Sequence, residues 1–185
     1  CLSVCQTSNE NAREDSPITQ TTCQKPPMFQ RLKFAALERR LTRAYKDRLA
    51  ALGAVPKGVF WRNQSTQIAR FEAMLSIVRK ISPVAHPAVA DIGCGYGALL
   101  DFIRKTPRYQ TMRYSGYDIN VAMIGACTHQ FADQKELFAV GKYPSGAVDF
   151  CLFSGTFNLC HTANPDLWED YIFANLQDCW QRSRY

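Results

Sequence analysis

The segment Ala88-Val89-Ala90-Asp91-Ile92-Gly93-Cys94-Gly95-Tyr96-Gly97 constrains the fold more than any other part of this 185-residue chain. A short apolar run, set off by Pro83 and Pro87, has the length of a buried strand. Glycines at 93, 95 and 97 then close it, and Leu99, Leu100, Phe102 and Ile103 mark a helix over 98–105. A strand, a tight glycine turn and a helix bring bare backbone against whatever lies at the strand end. Gly93 and Gly95 permit positive φ and close approach there, because any Cβ would occupy the ligand's space. The first free amides of the helix face the same space.

The alternation continues downstream. Strands are expected over 114–119, 137–140 and 147–153, with a helix over 121–132 that Asn120 caps. Asn164-Pro165 opens a last helix running to about residue 182, because Asn caps well and Pro suits the first turn. This order predicts an α/β fold with a doubly wound, mostly parallel sheet. Upstream, Phe34, Leu37, Leu41, Tyr45, Leu49 and Leu52 recur on one helical face that Gly53 ends. After a loop through Pro56 and Gly58, Ile68, Phe71, Leu75 and Val78 mark a second helix, with Ser65 as its expected N-cap. The chain thus divides into a flexible arm over 1–27, N-terminal helices over 28–82 and the α/β core over 83–185. The last helix carries a broad apolar stripe (Leu167, Trp168, Tyr171, Ile172, Leu176, Cys179 and Trp180) with nothing downstream. A partner chain in an oligomer, or a missing C-terminal segment, is expected to cover it.

Composition narrows the partners. No apolar run approaches the ~20 residues needed to cross a membrane. The net charge of +6 comes without dense Lys/Arg clusters interleaved with aromatics, so nucleic acid is not an expected partner. The eight cysteines form no Cys-x-x-Cys pair, and His86, His129 and His161 lack zinc-ligand spacing. No metal is expected, and reduced thiols in a cytoplasmic setting are the default.

Asp118 lies 21 residues beyond Gly97, at the end of the second strand. An acid there can accept hydrogen bonds from both hydroxyls of a ribose, so the two strand ends together fit a nucleoside cofactor. A nicotinamide-type fingerprint, with Gly93, Gly95 and Ala98 in its small positions, is also satisfied. Asp91 argues against it, since an extra acid beside the loop disfavours a diphosphate. A cationic sulfonium with an α-amino group suits Asp91 better.

The string Asp91-Ile92-Gly93-Cys94-Gly95-Tyr96-Gly97 resembles motif I of the class I S-adenosylmethionine-dependent methyltransferases. Residues 114–119, 136–143 and 147–159 resemble later motifs of that family, and the resemblance spans roughly 60–182. It implies a Rossmann-like fold whose C-terminal strands are missing here. It also implies S-adenosylmethionine as cofactor and methyl transfer to an acceptor, expected to be a small molecule. Gly93, Gly95 and Gly97, with Cys94, would line the methionyl and ribose portion, and Asp91 would orient the amino-acid end. Asp118 would hold the ribose and Ile119 would lie against the adenine. Arg70, near Trp61 and Gln67, would pair with the cofactor carboxylate, or else be a surface charge beside a packed Trp61. Ser154 opens the segment that faces the transferred methyl, where Asn158 or His161 could contact substrate. The loop Gly141-Lys142-Tyr143 lacks the acid that the family often offers to adenine, which leaves that contact to backbone. The segment 154–159 is not the Asn/Asp-Pro-Pro-aromatic motif of enzymes that methylate exocyclic amines. No residue identifies a catalytic base. A non-catalytic cofactor-binding module and, further off, an NAD-dependent oxidoreductase remain as alternatives.

Overall fold

The computed structural model describes residues 27–160 and 162–185. All but the last residue of the arm expected over 1–27 lies outside them, and so does His161. The first helix, α1 (Met28–Leu52), buries Phe34, Leu37 and Leu41 and ends at Gly53, whose N–H still bonds Leu49 O while its φ of 78° turns the chain out of the helix. A 3-10 turn over Pro56–Val59 leads to α2 (Gln64–Ile81). The cap of α2 is Asn63 rather than Ser65. Asn63 Oδ1 accepts from Thr66 N at 2.9 Å and from the Ser65 hydroxyl at 2.8 Å, so Ser65 sits inside the first turn. Asn63→Ala is expected to cost about 1 kcal/mol in urea unfolding, and Ser65→Ala less than about 0.5 kcal/mol.

There follow β1 (Ala88–Ile92), α3 (Ala98–Lys105), β2 (Arg113–Asp118), α4 (Val121–Gln130), β3 (Phe138–Val140), β4 (Phe150–Leu152) and α5 (Pro165–Trp180). The four strands form one parallel sheet in the order β3-β2-β1-β4. This is the Rossmann-like α/β architecture expected from the sequence. The order reverses at β1, because the chain winds first to one side and then crosses to β4 on the other. A crevice opens at such a reversal, above the carboxyl ends of the strands, and ligands of this fold class bind there.

Both sheet faces are covered, as parallel sheets require. Val89, Tyr114 and Phe150 pack with Phe71, Leu75, Leu99, Ile103, Phe131 and Phe138 on one face. On the other, Ala90, Ile92 and Tyr117 meet Val148 and Cys179.

Three further expectations change in the structure. β3 begins at Phe138, because Leu137 closes a 3-10 segment over Ala132–Leu137. β4 is confined to Phe150–Leu152, while Val148 instead bridges to Ser183 in parallel. The residues after α5 turn back along the outer edge of β4. Val148 N donates to Arg182 O at 2.9 Å, and Arg184 N to Val148 O at 3.1 Å. Buried Asp149 fastens this edge, accepting from Ala88 N at 2.7 Å and pairing with Arg184 at 3.2 Å. The third change concerns the stripe on α5. Its Trp168 and Tyr171 are buried against Phe34, Leu37 and Leu41 of α1, so part of the expected cover comes from the chain's own first helix. Leu176 and Trp180 stay exposed, as does Phe173.

Among the described residues, no helix is long and apolar enough to cross a membrane, and no group of three or more His, Cys, Asp or Glu is placed to hold a metal.

Candidate functional site

The glycine turn leaves β1 at the floor of a cavity of about 940 Å³, its open mouth included. The walls come from the ends of β1, β2 and β4, roofed by parts of α1, α2, α5 and the segment 59–61.

Asp118 organises the turn from the neighbouring strand. Its Oδ2 accepts from Gly95 N at 2.9 Å and its Oδ1 from Asn120 N at 2.8 Å. An ionised carboxylate has about four acceptor positions, so each oxygen keeps one for a ligand. Burial pushes its pKa up to about 6, against the lowering effect of those two N–H groups. Asn120 is buried beside it. Its side chain caps α4 by accepting from Ala122 N at 3.0 Å, and its Nδ2 donates to Thr42 O of α1 at 3.0 Å.

Asp91 sits deeper. Its Oδ2 accepts from the Tyr114 hydroxyl at 3.0 Å, while its Oδ1 is buried with no partner. Desolvation raises its pKa to about 7, with the Tyr114 hydrogen bond opposing and the charge of Asp118 adding. Ser154 Oγ is a second buried atom in the lining without a partner. A buried polar atom left unpaired costs about 1–3 kcal/mol, so both invite a ligand group.

Among the lining residues the one Lys or Arg is Lys142, and its Nζ is already held by Glu38 of α1 at 2.6 Å. The cavity thus offers two carboxylates and no unpaired cation. It suits a ligand with a positive group and hydroxyls, and opposes a diphosphate.

The structure brings Asp91, Gly93, Cys94, Gly95, Asp118, Ile119 and Ser154 together around this cavity. Gly97 and Arg70 are not in the lining. Gly97 caps α3 at φ 82° with its α-carbon turned to the core, where a Cβ would stand 2.7 Å from Phe131. Arg70 is exposed, with its guanidinium 5.5 Å from the centre of the Trp61 ring, and Trp61 is what reaches the cavity. Gln67 is buried in the lining and accepts from the Tyr96 hydroxyl at 3.1 Å. The Gly93 turn is tight for a reason other than ligand approach, since a Cβ there would lie 2.8 Å from Thr156. The Cys94 thiol, hydrogen-bonded with Cys127 and buried, is held well above the usual thiol range and stays protonated at neutral pH.

Tyr45, Tyr171 and Asn175 also line the cavity, and Tyr114 supports it from below. No local pattern flags the first three, which reach the site from helices distant in sequence. Tyr114 carries a faint signal, Gly116 two residues later, which the strand register sets opposite Asp91.

No protein-family model matches the chain. Over 99 residues it is 30% identical to a Mycobacterium tuberculosis protein named "Putative methyltransferase Rv1506c". The matched stretch is 52% of this chain and 58% of that protein, so the chain spans little more than half of its relative's length.

Proposed function

We propose that the chain binds S-adenosylmethionine in this cavity and serves methyl transfer to a small-molecule acceptor. The observation that carries the reading is the pair of carboxylates at the strand ends, buried Asp91 with an unpartnered oxygen and half-buried Asp118 with acceptor positions to spare, in a lining without a free cation. The partial similarity to the protein named "Putative methyltransferase Rv1506c" supports it. The residues present fit the cofactor. A Cβ at Gly95 would meet only Val59, at 3.4 Å, so the backbone there is open to the cavity.

When bound, S-adenosylmethionine supplies an electrophilic methyl on a cationic sulfur. The chain's part is alignment. Asp91 holds the α-ammonium, Asp118 the ribose hydroxyls, Ile119 packs against the base, and Gly95 admits close approach. Ser154 Oγ, at the end of β4, is offered to the ligand or the acceptor. Trp61, Phe157 and Tyr45 exclude water with apolar surface. No histidine lines the cavity among the described residues. The reading assigns no general base, and an acceptor that arrives as a competent nucleophile needs none. The free thiols keep a reducing, cytoplasmic setting as part of the same reading.

Calorimetric titration tests it. The chain is expected to bind S-adenosylmethionine and S-adenosylhomocysteine saturably and to ignore NAD. Asp118→Ala, checked for fold by circular dichroism, is expected to weaken both by at least tenfold. Binding of NAD in place of the other two would overturn the reading. Cofactor binding with no methyl transfer to any nucleophile tried would mark a non-catalytic binding module instead.

A further inference from the structure

Asp91 is on β1 directly opposite Gly116 of β2 in the strand register. Tyr114 lies two residues earlier on β2, so its side chain leaves the same sheet face as the glycine position. The glycine matters for space. A Cβ at 116 would stand 2.8 Å from the Tyr114 hydroxyl and 2.8 Å from Phe138. The absent side chain is the slot through which the phenol reaches Asp91 Oδ2, at 3.0 Å. Tyr114 is itself buried, its ring edge-on to Phe138 at 5.9 Å between centroids, which fixes the hydroxyl in place. One carboxylate oxygen of Asp91 is therefore tied and the other, Oδ1, has no partner.

From this geometry we infer that Tyr114 is a positioning residue, which anchors one oxygen of Asp91 so that the other is presented to a ligand's ammonium group. The inference rests on the proposed cofactor site and adds a determinant of selectivity for ligands that carry an amino acid. The titratable groups acting on Asp91 are Tyr114 and Asp118 of β2 and Cys94 of the turn, and Cys127 of α4 acts in turn on Tyr114 and Cys94. The cavity lining that α2 and α3 supply, Gln67, Phe71, Ala98 and Leu99, adds no titratable group. The Tyr114 hydrogen bond is thus the contact that favours the ionised carboxylate, the form an ammonium needs.

The test compares the whole chain with Tyr114→Phe, using S-adenosylhomocysteine and 5′-methylthioadenosine, which lacks the amino acid. The variant is expected to bind the first about tenfold more weakly and the second within twofold of the original. The pH midpoint for binding the first should move upward, because losing the hydrogen bond makes Asp91 protonate more readily. Gly116→Ala, which displaces the hydroxyl, should reproduce the selectivity if it folds. Equal weakening of both ligands, or an unmoved pH midpoint, would overturn the inference. A ligand-free readout separates it from the cofactor reading, namely carboxyl-carbon NMR of Asp91, whose titration midpoint should rise in Tyr114→Phe. A raised midpoint in a chain that binds neither nucleoside would sink the cofactor and keep the Tyr114–Asp91 coupling. An unchanged midpoint would sink the coupling itself.

Discussion

Asp91→Asn is expected to make the ligand-free chain more stable at pH 8 while reducing its affinity for S-adenosylmethionine by 100-fold or more. The two effects have one cause. In the folded chain Asp91 holds its proton up to about pH 7, against an ordinary value of 3.8. Between those values the folded state binds more protons than the unfolded state, so stability falls as pH rises through this window. Above about pH 7 the full cost of a buried, half-satisfied carboxylate is present, on the order of a few kcal/mol. Asparagine keeps the shape and removes the charge, for an expected gain of about 1–3 kcal/mol at pH 8. The gain should shrink as pH is lowered toward 5, where the aspartic acid is already neutral. Urea unfolding at both pH values measures it. A pH-independent difference would mean that Asp91 carries no buried charge. The loss of binding follows because an ammonium facing a neutral amide forfeits a charge-assisted contact, worth about 2–5 kcal/mol when buried.

Gly97→Ala and Gly95→Ala should fail in opposite ways. At 97 the new methyl meets Phe131 at 2.7 Å on a residue with φ of 82°. Left-handed backbone costs a non-glycine residue about 1–2 kcal/mol, and overpacking adds about 1–3 kcal/mol. The melting temperature is expected to fall by about 10 °C. At 95 φ is also positive, at 57°, but the methyl would enter the cavity with Val59 at 3.4 Å as its nearest neighbour. That variant should melt closer to the original chain and lose ligand affinity instead. Melting curves with and without S-adenosylhomocysteine separate the two glycines. Equal melting temperatures for the two variants would show that the clash at 97 is not real.

These glycines also mark where sequence reasoning stops. The turn, β1 and α3 were legible to the residue, because local spacing alone dictates them. The caps Asn120 and Asn164 were legible for the same reason, both accepting from the first turn of their helices. Sequence could not divide labour among the three glycines, since what each Cβ would meet depends on Thr156, Val59 and Phe131, remote along the chain. Strand ends were blurred where pairing decides them. Leu137 and Val148 look like strand residues, yet one closes a 3-10 segment and the other finds Ser183. In the site, the acids at the two strand ends were visible as candidates. Tyr45, Tyr171 and Asn175 were not, since α1 and α5 arrive there only by tertiary packing.

The hold of α1 on the cavity has a kinetic side. Leu41, Thr42 and Tyr45 form wall, Thr42 O is bonded to Asn120, and Glu38 is bonded to Lys142. Asn120 is in turn bonded through its backbone N–H to Asp118, so ligand and helix share one short chain of contacts. Anything that fills the cavity and engages Asp118 therefore also slows the opening of this helix. In the language of amide exchange, protection gained by a ligand should appear along the middle turns of α1 as well as at the glycine loop.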